Sequence, residues 1–234
     1  MNLDNALRLQ YLEAMGIDVW VPRASVQNEQ QVLSDSVTDN DEPGTQESAT
    51  DSWDSLQAEV ANCTKCALCA TRTQTVFGSG NKQADWMLVG EAPGQHEDEQ
   101  GLPFVGNAGL LLTEMLRAIG LTREEVFITN ILKCRPHINR DPHADEVENC
   151  INYLQRQQKL IQPKVILALG RIAAQTLLKT DESLAGLRGK VHTFNNTPVV
   201  VVYHPVYLLR YLQEKRNAWL DLQLAIQTVK DSEG

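Results

Sequence analysis

The chain has 234 residues, a length that suits one or two domains with a substantial core and excludes a short peptide held together only by cross-links. Hydrophobic residues make up 42% of the chain, and no segment approaches the roughly 18 consecutive apolar residues of a membrane span. The first 22 residues carry acidic and basic side chains that no secretory signal tolerates. We therefore expect a cytoplasmic protein without a membrane anchor, and we expect it to be a monomer.

The formal net charge of −9 comes from one segment. Residues 24–62 contain nine acidic residues and no Lys or Arg, whereas residues 63–234 contain 18 acidic residues and 19 Lys or Arg. The main body is therefore nearly neutral, and it can carry a DNA-binding surface where its basic residues cluster.

The N-terminal quarter divides into two segments. Residues 1–23 place leucines at approximate helical spacing and predict a docking peptide, with folding back onto the chain's own domain as the alternative. The run 9–21 resembles the N-terminal segment of the clamp-loader psi subunit, which implies a replication protein as partner. Residues 24–55 are polar and acidic and predict a disordered linker, so residues 56–234 form the predicted folded domain.

From residue 63 onward, short apolar runs alternate with longer amphipathic stretches, a pattern typical of parallel β-α-β units in an α/β fold. Four strands are predicted, at 86–89, 126–129, 165–169 and 198–203. Five helices are predicted, at 109–119, 145–160, 171–178, 205–215 and 218–229. Because ligands of such sheets bind beyond the carboxyl ends of the strands, the segments that follow them are the candidate site: 90–94, Asn130, 170–171 and 204–205.

Five cysteines, an odd number in a reducing compartment, favour metal ligation over disulfides. Cys63 and Cys66 form a C-x2-C pair, and Cys134 and Cys150 bracket a loop. Four thiolates in two pairs suit either zinc or a [4Fe-4S] cluster, and ligand type alone does not distinguish the two. The alternative is that these are scattered core cysteines. We interpret Cys69, the fifth, as a small buried hydrophobic residue.

These features together resemble family 4 uracil-DNA glycosylases. The likeness is carried by Cys63, Cys66 and Cys150 and by five segments: GEAPG at 90–94, GLPFVG at 101–106, TN at 129–130, CRP at 134–136 and HPVYLLR at 204–210. The resemblance implies a three-layer α/β/α sandwich around a mainly parallel four-stranded sheet, a [4Fe-4S] cluster on the four paired cysteines, and removal of uracil from DNA. A sister group that forms covalent adducts carries an inserted basic loop, and 186–192 shows no such insert, which favours turnover.

The resemblance also implies roles for three side chains. Phe104 is expected to stack on an extruded base, Asn130 to read its edge and His204 to donate a hydrogen bond to the departing uracil. The chemistry agrees, because an amide that accepts from uracil N3–H and donates to O4 meets the opposite pattern on cytosine. The alternatives are a core phenylalanine beneath a loop, an asparagine in an Asx turn and a capping histidine.

Other residues of these segments have less defined roles. Gly90 and Ala92 are expected to line the uracil pocket, and Ala92 stands where the related family 1 motif has a water-activating Asp. Glu91 and Glu97 are then the candidate catalytic carboxylates, although spacing assigns neither a role. Asp98 is expected to be solvated.

DNA contacts are predicted on both sides of the pocket. Leu208 and Leu209 resemble a wedge that fills the gap left by the extruded base. The alternative is an ordinary helix with an apolar stripe, in which Leu208 or Leu209 belongs to the core. Arg210 and Arg171 are expected to bind phosphates. Lys133, Arg135 and Arg140 form a candidate basic loop near Cys134 that touches the DNA backbone.

The sequence thus predicts a monofunctional uracil-DNA glycosylase of base excision repair whose cluster is structural. Two other classes stay open: an iron-sulfur redox or sensing protein, and a catalytically silent DNA-binding module.

Overall fold

A computed structural model of the protein describes residues 52–232. The predicted docking peptide 1–23 and most of the predicted linker 24–55 lie outside the described residues and stay predictions. The folded part begins slightly earlier than predicted, because helix α1 (Trp53–Ala61) starts inside the expected linker. The Ser52 side chain caps this helix, and Leu56 is fully buried in the domain core.

The described residues contain six strands and seven further helices. The strands are β1 (Ser79–Gly80), β2 (Trp86–Gly90), β3 (Phe127–Asn130), β4 (Val165–Leu169), β5 (Val191–Phe194) and β6 (Thr197–Val202). The helices are α2 (Gln95–Gln100), α3 (Asn107–Ala118), α4 (Ala144–Ile161), α5 (Arg171–Leu178), α6 (Leu184–Leu187), α7 (Pro205–Arg210) and α8 (Lys215–Asp231). None of the helices within 52–232 is both long and apolar enough to cross a membrane.

The strands form one sheet in the order β1-β3-β2-β4-β6-β5. The central four, β3, β2, β4 and β6, are the predicted strands, and they pair in parallel as predicted. The sheet nevertheless has six strands instead of four, because β1 and β5 add antiparallel edges. Strand β1 has only two residues, and half of the β5 residues are exposed, so neither has the apolar run that marks a buried strand.

The predicted helix 205–215 is divided. Helix α7 ends at Arg210, Tyr211 adopts a non-helical conformation, and a 3-10 turn (Leu212–Glu214) leads into α8. Helix α8 then runs to Asp231 and includes the predicted helix 218–229. The other three predicted helices are confirmed, with ends that differ by at most two residues.

Two apolar layers cover the two faces of the sheet, which confirms the three-layer α/β/α sandwich. On one face, Met87, Val89, Ile166 and Val201 pack against α1, α4 and α5. On the other face, the alternate residues of the same strands pack against α3, α7 and α8: Leu88, Ile128, Leu167, Val200 and Val202. Because successive side chains of a strand point to opposite faces, a sheet covered twice needs uninterrupted apolar runs.

A close approach within the first turn of α3 fixes the loop before this helix. A Cβ atom added to Gly109 would lie only 1.7 Å from the carbonyl oxygen of Phe104. Phe104 itself has a φ of 54°, in the left-handed region that side chains rarely adopt. Gly109 therefore allows the loop to fold tightly against α3 and holds Phe104 in place.

We expect Gly109→Ala to lower the free energy of unfolding by about 1–3 kcal/mol, measured by denaturant unfolding. Alanine normally stabilises a helix interior by roughly 1 kcal/mol relative to glycine. A lower stability of Gly109→Ala would therefore show that the steric clash with Phe104 outweighs the higher helix propensity of alanine. Gly106→Ala, at the start of the same helix, is the control, because its nearest neighbour would be a His96 carbon at 3.7 Å. Equal stability of the Gly109 variant and the wild type would contradict the prediction.

Candidate active site

The carboxyl ends of the parallel strands border a cavity of about 610 Å³. Each strand delivers a residue that was predicted to follow it: Glu91 after β2, Asn130 at the end of β3, Arg171 after β4 and His204 after β6. Ala92, Glu97, Phe104 and Arg210 also line the cavity. A volume of this size suits a small ligand such as a nucleobase with its sugar.

Asn130 places an unpaired acceptor at this cavity. The residue is 2% exposed, and its side-chain Oδ1 is buried without a hydrogen-bond partner. Gly90 pairs with Asn130 across the two strands and leaves room for that side chain. A Cβ atom on Gly90 would lie 2.3 Å from Asn130 Oδ1 and 2.7 Å from Phe104 Cζ. Any side chain at position 90 would therefore displace both Asn130 and Phe104.

Phe104 and His204 form a pair of rings at the cavity wall. Their centroids are 5.6 Å apart, and the ring planes are inclined by 30°. The Phe104 loop is tied to α2 by Glu97, whose Oε1 accepts hydrogen bonds from the backbone N–H groups of Val105 (2.9 Å) and Gly106 (3.4 Å). Its Oε2 accepts from the N–H of Gly94 (3.1 Å). Glu97 therefore positions the loop, with both carboxylate oxygens already engaged.

The imidazole of His204 is oriented by the start of α7. Its Nδ1 accepts a hydrogen bond from the N–H of Val206 (3.1 Å), and Pro205 occupies the first helical position. Burial lowers the pKa of His204 to about 4, and nearby Glu97 opposes this shift only partly. The ring is therefore neutral at pH 7. Because a neutral imidazole carries one proton and Nδ1 is an acceptor, Nε2 carries the hydrogen and is the donor.

Glu91 is the carboxylate that stays available in the cavity. Its backbone carbonyl accepts from the N–H of Leu132 at 3.0 Å, but its carboxylate accepts no hydrogen bond from the residues that the structure describes. Burial, reinforced by the negative charge of Asp141, raises the pKa of Glu91 to about 7, and the positive charge of Arg171 opposes the rise. Its protonation state therefore changes near neutral pH, as expected of a group that exchanges protons.

Basic side chains surround the cavity mouth. Arg210 is exposed at the end of α7. Arg171 lies at the first position of α5, where its Nη2 contacts Asp141 Oδ2 at 2.7 Å. Arg140 makes two hydrogen bonds to Glu146, at 2.9 and 2.6 Å. Of these cations, Arg210 is the least neutralised by neighbouring acids.

Three predictions for this region are wrong. Leu208 is 1% exposed and packs in the core beneath α7, so it cannot contact DNA as a wedge, whereas neighbouring Leu209 is 43% exposed. Lys133 does not belong to a basic surface loop, because it is buried and its Nζ donates to Thr129 Oγ1, Asn130 O and Gln157 Oε1 at 2.6–2.8 Å. Asp98 is buried instead of solvated, and both of its oxygens accept from the N–H of Thr73 at 3.0 Å.

All five cysteines line a second cavity. Cys134 and Cys150 are buried, and Cys63, Cys66 and Cys69 are partly exposed. The prediction that Cys69 is a separate buried hydrophobic residue is therefore wrong. Two N–H groups donate to sulfur, from Arg72 Nη1 to Cys134 Sγ (3.2 Å) and from Lys133 N to Cys150 Sγ (3.3 Å). Among residues 52–232, no set of three or more His, Cys, Asp or Glu side chains is positioned around one metal ion.

The sequence reasoning gave no role to several residues of the active-site cavity, among them Asp141 and Tyr207. Asp141 lies in an irregular loop, where no periodic pattern marks which side chains point inward. Tyr207 lies in the HPVYLLR segment, whose helical phase places positions 206, 207 and 210 towards the cavity and 208 towards the core. This phase was the signal that could have identified Tyr207.

Comparisons with known proteins agree with this geometry. The family model of the uracil DNA glycosylase superfamily matches residues 77–223. A type-4 uracil-DNA glycosylase of Archaeoglobus fulgidus is 47% identical over 167 residues, which cover 68% of this chain and 84% of that protein. One of Thermotoga maritima is 43% identical over 157 residues (66% and 82%). A type-5 uracil-DNA glycosylase of Pyrobaculum aerophilum is 28% identical over 186 residues (65% and 82%). The chain belongs to the uracil-DNA glycosylase superfamily, among its type-4 members.

Proposed function

We propose that the protein removes uracil from DNA by hydrolysing the N-glycosidic bond, which releases free uracil and leaves an abasic site for base excision repair. The observation that carries this function is the buried, unpaired Oδ1 of Asn130 in a cavity that Phe104 and His204 also line. An unpaired acceptor in a pocket of nucleobase size requires a ligand with a matching donor, and uracil N3–H supplies it.

The pocket selects uracil by the polarity of its edge. Asn130 Oδ1 accepts from N3–H, and the amide NH2 of the same side chain donates to O4. Cytosine presents an acceptor at N3 and a donor at its amino group, so both contacts would become repulsive or unpaired. A site that is built to pair with the edge of uracil therefore rejects cytosine strongly, because its polar groups stay unpaired.

Phe104 supports the extruded base. A base inside a duplex hides its glycosidic bond, so the enzyme must first extrude the nucleotide, at a cost of roughly a few kcal/mol. Stacking on an aromatic ring contributes about 1–3 kcal/mol per base, which offsets much of that cost. Gly90, Gly109 and Glu97 hold the ring in place for this contact.

His204 stabilises the leaving group. When the bond between C1′ and N1 breaks, its electron pair stays on uracil and the sugar becomes an oxocarbenium ion. The Nε2–H of neutral His204 donates to uracil O2, where negative charge develops. Donors that are already oriented towards developing charge make the largest single contribution in many enzymes. Water then adds to the sugar cation at C1′, and the proton that it loses neutralises the uracil anion, which leaves as free uracil.

The test of this function is release of free uracil from a uracil-containing oligonucleotide without strand scission. We expect wild type to release uracil and His204→Ala to do so about 100-fold more slowly or worse, because one oriented donor is lost. His192→Ala is the control, since His192 lies on β5, contacts Leu187 O and is not part of the cavity. Wild-type kinetics for His204→Ala would refute the role of His204, and absence of uracil release by wild type would refute the function.

Glu91 is proposed to orient the attacking water. It is the cavity carboxylate whose oxygens are available, whereas those of Glu97 are bound to backbone N–H groups. It also directly precedes Ala92, where the family 1 motif has its water-activating Asp. Because water meets a cation that has already formed, this group contributes less than the base of an associative reaction would.

This role predicts a pH dependence. Glu91 loses its proton as pH rises through about 7, so the single-turnover rate of wild type should increase through that range and level off near pH 8. We expect Glu91→Gln to show no such increase and to be about 10- to 100-fold slower than wild type at pH 8. Glu99→Gln, an exposed change on the same helix as Glu97, should retain the wild-type profile. If the rise in rate with pH persists in Glu91→Gln, the group that titrates is a residue other than Glu91.

The phosphate contacts of Arg210 and Arg171 are part of the same proposal. Both line the cavity where the DNA backbone must enter. Arg210 is the stronger candidate, because Arg171 shares its charge with Asp141.

We further propose that Cys63, Cys66, Cys134 and Cys150 hold a [4Fe-4S] cluster. Support comes from the family resemblance, from the shared cavity and from the N–H groups directed at Cys134 and Cys150 Sγ, which are typical partners of anionic sulfur. When bound, the cluster supplies a cross-link between the segment after α1, the segment after β3 and helix α4. The residues that act on uracil belong to the other cavity.

Iron and sulfide analysis of the purified protein tests this assignment and distinguishes it from zinc. We expect four iron and four sulfide per chain, in line with a [4Fe-4S] cluster. Cys63→Ser should lose most of this content, whereas Cys69→Ser should retain it, although both residues line the same cavity. Zinc in place of iron, or equal loss in both variants, would overturn the assignment.

A further inference from the structure

Three tyrosines form a stacked column beside the active-site cavity. The rings of Tyr203 and Tyr207 lie 4.9 Å apart with planes inclined by 17°, and those of Tyr207 and Tyr211 lie 4.5 Å apart with planes inclined by 32°. Tyr207, the middle ring, lines the cavity, and Tyr211 follows the last residue of α7. The column therefore borders the cavity at its middle ring and ends at Tyr211, which is exposed.

The inner end of the column is anchored. The guanidinium of Arg188 lies 4.1 Å from the centroid of Tyr203, and Arg188 Nε is 2.6 Å from the buried carboxylate of Asp221. Such a contact fixes one face of the first ring. Tyr207 has a ring on each side. Tyr211, which is 45% exposed, is the member of the column that has a ring or cation contact on one side only among the described residues.

The surroundings of Tyr211 suit a nucleic acid strand. Arg210 precedes it and borders the cavity mouth, and the exposed Leu209 and Leu212 flank it in sequence. A positive charge beside an aromatic ring with a free face is the arrangement that binds unpaired bases irrespective of sequence. Along one strand of a duplex, successive nucleotides are about 3.4 Å apart. The Tyr211 ring lies 4.5 Å from the ring of Tyr207, which lines the cavity, so the two rings are spaced like neighbouring bases.

We propose that Tyr211 stacks on a base next to the extruded uracil nucleotide in the same strand, and that Tyr203 and Tyr207 support its ring from behind. Extrusion of a nucleotide unstacks its neighbours, which leaves one of them with an exposed face. This inference rests on the proposed function and adds a second base-binding position to it.

The experiment compares two single-stranded oligonucleotides that contain one uracil. In the first, ordinary bases flank the uracil, and in the second, abasic residues replace both neighbours. Because stacking contributes a factor of about 5 to 150 per base, we expect wild type to have a higher kcat/KM on the first substrate by about that factor. Tyr211→Ala should lose this preference. Its kcat/KM on both substrates should equal that of wild type on the second substrate.

Tyr211→Phe is the matched control, because it retains the ring and removes only the hydroxyl group, and it should keep the wild-type preference. The inference fails if wild type treats both substrates alike, or if Tyr211→Ala is equally impaired on both. Either result would leave uracil release by wild type intact. The proposed function, in contrast, fails only when wild type releases no uracil from any substrate.

A binding measurement tests the contact without catalysis. In an oligonucleotide with uncleavable 2′-fluorinated deoxyuridine, 2-aminopurine at a flanking position should lose fluorescence on binding to wild type, because stacking on a tyrosine quenches it. The same quenching with Tyr211→Phe and its loss with Tyr211→Ala support the proposal. Equal fluorescence with all three proteins contradicts it, and this readout remains valid if a variant is slow in the kinetic assay.

Discussion

The site depends on one unpaired group, the buried Oδ1 of Asn130. A buried acceptor without a partner costs about 1–3 kcal/mol, so the free protein carries a destabilised group that a ligand with a donor at the matching place relieves. The backbone of Asn130 is held by strand pairing with Gly90 and by Lys133 Nζ, which donates to the Asn130 carbonyl oxygen at 2.8 Å. The residue that we propose to read uracil therefore stands on a fixed backbone.

Tight backbone packing brings the other groups to the same place. Gly90 and Gly109 allow Phe104 to approach β2 and α3 closely, and a Cβ atom on Gly170 would lie 2.9 Å from His204 Cβ. Gly90 is the last residue of β2, Gly170 follows β4, and Gly109 lies in the first turn of α3. Because these glycines carry no side chain, the backbone segments approach closely. Side chains from separate parts of the chain can therefore meet at one cavity. The carboxylate of Glu97 accepts hydrogen bonds from three backbone N–H groups. It therefore holds the loop in place and is not free to act as a base.

The sequence predicted the parts that follow from local pattern. The four parallel strands are runs of apolar residues, and the residues after them were expected at one edge of the sheet, where Glu91, Asn130, Arg171 and His204 do meet. The predictions that were wrong depend on contacts between parts of the chain that are distant in sequence. Lys133 looks like a surface cation in sequence, but Thr129, Asn130 and Gln157 provide buried acceptors that only the fold brings together. Leu208 and Leu209 are identical residue types, and only the phase of α7 decides which one is buried.

Lys133 also joins the two cavities of the domain. Its backbone N–H donates to Cys150 Sγ at 3.3 Å, while its side chain donates to the carbonyl oxygen of Asn130. The segment 130–134 thus connects Asn130, which we propose to read uracil, with Cys150 of the other cavity. A group that cross-links those cysteines would limit the motion of this segment and thereby the motion of Asn130. If the proposed [4Fe-4S] cluster is bound there, it would support catalysis by limiting the motion of Asn130 without taking part in the reaction, because precise recognition requires a rigid support around the side chain that performs it.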